Sequence, residues 1–77
     1  MVMDILLDVR ELEPPEPLEK VLEALCVLEN GQRIRMIHHR EPHPLYPILQ
    51  REGFRYETHF TDEGAFEILI WRSSPDN

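Results

Sequence analysis

One cysteine, three glycines and a single lysine are what this 77-residue chain has little of, and each scarcity excludes something. A lone thiol, Cys26, rules out an internal disulfide and suits a reducing compartment, so the fold must hold by packing. The glycines stand too far apart for a glycine-rich phosphate loop. Basic residues are outnumbered eight to fifteen by acidic ones, for a net charge of −7. That balance argues against nucleic acid as a partner, because such binding rests on basic patches that release counterions. It disfavours anionic membrane surfaces for the same reason. No apolar run approaches the roughly 20 residues that cross a bilayer. Asp4 and Asp8 interrupt the apolar start, so no signal peptide is expected. The expectation is a soluble cytoplasmic protein.

What is present reads as globular: 42% apolar and 30% charged residues. A chain of this length makes one domain, here 1–77, with 73–77 expected as a disordered tail. Met3 to Val9 alternates as a strand, with Met3, Ile5, Leu7 and Val9 on one face. Pro15 or Pro17 then opens a helix, since proline suits a first helical turn and nothing deeper. Leu18, Val21, Leu22, Leu25 and Leu28 fall at helical spacing to about Glu29, and Asn30-Gly31 supplies a left-handed stop. Glu11, Glu13, Glu16, Glu19 and Glu23 gather around the helix start as a solvated face that complements the helix dipole.

Gln32 to His39 is expected as a second strand, alternating Ile34 and Met36 with Arg33 and Arg35. A second helix is expected from about His43-Pro44 to before Gly53, burying Leu45, Ile48 and Leu49, with Pro47 still in its first turn. Phe54 to Phe60 and Ala65 to Arg72 form two strands joined by the short loop Thr61 to Gly64. The order β-α-β-α-β-β makes an α+β two-layer sandwich, a four-stranded sheet with both helices on one face and right-handed crossovers. The open face would carry Asp4, Leu6, Asp8, Arg33, Arg35, Ile37, His39, Glu67, Leu69 and Trp71. Opposite charges can pair across its strands, and its apolar members are either covered by arginine and glutamate stems or form a docking surface, for instance of a homodimer.

Leu7-Asp8-Val9-Arg10, Leu12, Pro15-Glu16-Pro17 and Glu41-Pro42-His43-Pro44-Leu45 together resemble the TusA/SirA-like superfamily of small sulfur carriers, and within it the domain of unknown function 2249 family. The resemblance spans nearly the whole chain. It implies a mixed sheet in the order 1-2-4-3, with the last strand antiparallel to the others. It also implies an accessory role, since domains of this family resemble parts found beside hemerythrin-like and other redox domains. The superfamily's carriers present a Cys-Pro-x-Pro motif at the first helix start, where the helix N-terminus stabilises a thiolate. Here Pro14 stands at the cysteine position, and proline has no nucleophile. Cys26 lies near the far end of that helix, where the dipole disfavours a thiolate and packing is the ordinary role.

In the implied fold the carboxyl ends of the first three strands share one sheet edge, which ligand sites in open α/β sheets favour. That edge would gather Arg10, Glu11, His39, Glu41, His43 and His59. His38 and His39 point to opposite faces and do not share one metal. His39 with His43, plus Glu41 or His59, is the workable set for zinc, copper or iron. Arg10, Glu11 and Arg40 make a candidate ligand site, with the two arginines near helix starts suited to a phosphate or carboxylate, although prolines remove N–H donors there. No carboxylate can be placed in an apolar pocket, and a large pocket is not expected in so small a domain.

Three readings follow. The first is a non-catalytic protein-interaction or accessory module linked to redox metabolism, not an enzyme, with a protein partner and no cofactor. The second is a small metal- or ligand-binding protein using His39, Glu41 and His43. The third is residual sulfur transfer through Cys26.

Overall fold

Alternating apolar residues build the sheet, and helical spacing of leucines and valines covers it. The computed structural model describes residues 3–73. In chain order they form β1 (Met3–Asp8), α1 (Glu16–Cys26), β2 (Gln32–His38), α2 (Leu45–Arg51), β3 (Phe54–Phe60) and β4 (Phe66–Arg72). The sheet order is β1-β2-β4-β3. β1 and β2 are parallel, while β4 runs antiparallel to both β2 and β3. The carboxyl ends of β1, β2 and β3 therefore lie on one edge, as the mixed α+β sandwich requires.

One core joins both helices to one sheet face. Val21 and Leu25 of α1 and Leu45 and Leu49 of α2 are buried with Ile34, Met36, Ile68 and Ile70. Leu18 and Leu22 pack against its rim. Burying side chains of this kind contributes about 1.5–3 kcal/mol each, which is how a chain without a disulfide can stay folded. Register fixes the other face: Asp4 sits beside Arg33, Leu6 beside Arg35, and Asp8 beside Ile37.

Several boundaries differ from the sequence expectation. α1 ends at Cys26 rather than near Glu29. Val27 and Leu28 donate to the carbonyls of Ala24 and Leu25 in a tightened last turn. The Gln32 side chain then captures the Glu29 N–H at 2.8 Å, and Gln32 N–H returns to Glu29 O at 3.0 Å. Gly31, at φ 86°, turns the chain inside that closed loop, not at the helix end itself. Leu28 keeps its inward position from the loop and is buried. β1 and β2 end one residue early and β4 starts one residue late, at Phe66. α2 begins at Leu45, two residues after His43, and Pro47 occupies its first turn as expected. Of the expected tail, Ser73 donates its N–H to Gly53 O at 3.0 Å, and residues 74–77 lie outside those described.

Candidate functional site

Strand alternation decides which of two neighbouring histidines faces the helices. His38 pairs with Phe66 across β2 and β4 and lies on the helix-covered side, at the end of β2. It lines a cleft of about 350 Å³ between the start of α1 and the loop from β2 to α2. Pro14, Pro15 and Pro17 form one wall and Pro42 and Pro44 the other. Met36 and Leu45 make its floor, both about 1% exposed. Both prolyl segments follow strands that end on the same edge, so the topology brings five of the seven prolines together. A cleft of this size is a finding the sequence did not foretell.

Three polar side chains reach this apolar site: His38, Arg40 and Glu41. His38 Nδ1 accepts the His39 N–H at 2.9 Å, which leaves Nε2 to carry the proton of a neutral ring. Burial holds its pKa below the usual histidine value, and the charges of His39 and Arg40 act in the same direction. Glu41 is already engaged. Tyr46 Oη donates to Glu41 Oε2 at 2.9 Å, so the 2.7 Å contact between Tyr46 Oη and Thr58 Oγ1 takes its proton from threonine. His43 Nε2 lies 3.5 Å from the other carboxylate oxygen. The Tyr46 ring stacks on Tyr56 at 4.5 Å, and Gln50 donates to the Tyr56 hydroxyl at 3.1 Å. Burial raises the Tyr46 pKa, so the hydroxyl stays protonated and keeps the loop tied to β3.

Arg40 is the polar group left over. Arg10, Arg33, Arg35 and Arg51 each pair with a carboxylate. Arg72 donates to Leu28 O at 2.8 Å and lies over the Phe54 ring. Among the described residues only Arg40 and Arg55 have no such partner, and of the two Arg40 borders the proline cleft.

The sequence-derived candidates divide between two clefts. Arg10, Glu11 and His39 do meet, with Asp8 and Leu12, in an open depression on the other side of the first loop. There the Arg10 guanidinium is held by Asp8 through Nε at 2.9 Å and Nη2 at 2.6 Å. Those hydrogen bonds, with one from the Arg10 backbone, pull the Asp8 pKa down to about 2. Arg10 and Arg40 therefore line separate clefts, and Arg10 already has its anion. Of the histidine and carboxylate set, Glu41 and His43 are neighbours, while His39 lies across the loop with Arg10. His59 faces Glu57 at 3.4 Å on β3. Among the described residues no three His, Cys, Asp or Glu side chains come together as a metal-holding group. Cys26 is exposed at the last residue of α1, about 12 Å of helix beyond Leu18, where that helix lines the cleft. Sequence reasoning passed over His38 as a site residue, and the signal that could have found the cleft is the run of prolines on two successive loops.

The family model for an uncharacterized conserved protein, DUF2249, matches residues 6–72. The chain belongs to the DUF2249 family. The matched span includes both loops that wall the cleft and all six elements apart from the first residues of β1. Comparison with curated proteins and with solved structures yielded no match. No helix among the described residues is long and apolar enough to cross a membrane.

Proposed function

We propose that this DUF2249 domain is a non-catalytic interaction or accessory module, linked to redox metabolism and working in the cytoplasm, that retains a carrier-like strand-to-helix junction without its nucleophile. The observation that carries the reading is the make-up of that junction. Pro14 occupies the position at which the sulfur carriers it resembles present a thiol, and the walls around it are proline and aliphatic side chains. The polar groups there serve the loop: Glu41 holds Tyr46, and His38 holds the His39 amide. Nothing in that set is an activated nucleophile, which would need a base in hydrogen-bond reach or a depressed pKa. A module of this kind acts by recognition, with a protein partner meeting the loops at the strand ends.

Sulfur loading tests the reading directly. Purified protein is incubated with a cysteine desulfurase and cysteine, and its intact mass is read under native conditions. The expected mass is that of the unmodified chain without metal. Stoichiometric sulfur on Cys26, or a metal ion retained at stoichiometry, overturns the reading.

A further inference from the structure

An apolar cleft, a neutral histidine at its wall and an unpartnered guanidinium at its rim lie at one sheet edge. The volume, about 350 Å³, sits at the lower end of the roughly 300–1,000 Å³ of small-molecule pockets, whose linings are mostly apolar with a few convergent polar groups. The prolines, Met36 and Leu45 offer no hydrogen bond from their side chains, so the body of a ligand must be apolar. The polar groups offer donors: His38 has Nε2–H free once Nδ1 accepts the His39 amide, and Arg40 has its whole fork. The one carboxylate on the lining, Glu41, already accepts the Tyr46 hydroxyl and lies beside His43, so it is engaged within the loop. In a chain of net charge −7 most arginines are paired, and an unpaired one beside the cleft marks where a single negative charge is wanted.

From this arrangement we infer that the proline-walled cleft binds a small apolar monocarboxylate, its chain lying against the prolines and Met36 and its carboxylate on Arg40, with His38 Nε2–H as second donor. The inference stands on the cleft alone and does not depend on whether sulfur chemistry has been lost. A dianion or phosphate fits less well, because only one full positive charge faces the cleft and the chain as a whole repels anions.

Titration of the folded protein with sodium octanoate, followed by amide NMR, tests it, with 1-octanol and acetate as the other arms. Octanoate is expected to give saturable shifts at Leu18, His38, Arg40 and Leu45. Octanol lacks the charge and acetate lacks the chain, and each is expected to bind at least about tenfold more weakly. Arg40→Gln is exposed and makes no internal bond, so it should fold normally and bring octanoate down to the level of octanol. Arg55→Gln removes the same charge away from the cleft and should leave octanoate binding unchanged. The inference is overturned if no saturable shift appears at the cleft up to about 10 mM octanoate, a concentration that would reveal even millimolar affinity. Octanol binding as tightly as octanoate, shifts centred on Cys26, or equal losses in the two arginine variants overturn it too.

Discussion

The proline cleft and the open sheet face are built from the same strands by opposite means. On the open face most charges are matched, Arg33 with Asp4, Arg35 with Glu67, His59 beside Glu57 and Arg10 with Asp8 at its margin, with Arg55 the exception. Leu6, at 65% exposure, is its one widely exposed aliphatic residue. The cleft has the reverse character, with apolar walls, a fully buried floor and one cation left without a partner. A surface whose charges satisfy one another suits solvent, whereas unmatched charge beside apolar concavity suits a ligand. The difference separates the open face, which the sequence offers as a docking surface, from a cleft that the sequence does not foretell.

The largest effect expected from that contrast is on stability. Leu45→Ala, which empties the cleft floor, should cost about 2–5 kcal/mol in urea unfolding. Leu6→Ala on the open face should cost less than about 0.5 kcal/mol. Comparable losses that depend on protein concentration would mean that the open face is covered by a second copy, and the contrast would fail. Tyr46→Phe comes next. It strands Glu41 and Thr58 and should lose about 1–2 kcal/mol, with faster hydrogen exchange in the loop from β2 to α2. An unchanged exchange rate there would show that the loop is held by other contacts.

pH should address the two regions separately. The folded-state pKa of His38 lies below its unfolded value near 6.5, so the unfolded chain binds its proton first and stability falls as pH drops through that value. His38→Gln should flatten that part of the profile. Asp4 and Asp8 are displaced downward by their arginines, Asp8 to about 2. Their contribution is present above the ordinary carboxylate value of 3.8 and is lost as pH falls from there through about 2. Asp8→Asn should therefore lower stability above the ordinary carboxylate value of 3.8, and its difference from the parent should vanish in strong acid. The smallest effect concerns the exposed Asp4–Arg33 pair: a double-mutant cycle should give a coupling that disappears at high salt. A coupling that survives salt would show that something shields this face from water.

Fold was far more legible than site. The period-2 run from Met3 and the leucine spacing of α1 report directly on which side chains meet the core, so element order and inward faces follow from local pattern. The end of α1 was not legible, because Leu28 keeps helical spacing with Leu25 after the backbone has left the helix. Beyond its end the Gln32 side chain closes on the Glu29 N–H, a contact that residue spacing does not reveal. Among the site residues, Arg10, Glu11 and His39 do assemble as their positions after β1 and β2 suggest. Arg40 does not join them, because one residue of strand phase sends His38 and His39 to opposite faces, and Arg40 lines the cleft on the His38 side.

The sequence by itself determined the sandwich, the single thiol, the excess of acid and the proline at position 14, since these depend on residue identity and short-range periodicity. Tertiary structure decided that prolines about thirty residues apart share one cleft, that Arg10 is neutralised by Asp8, and that Arg40 is left free. Those outcomes depend on which loops end on the same sheet edge and which charges come within a few ångströms. Pairwise distances of that kind are set by strand order and register, which no local pattern contains.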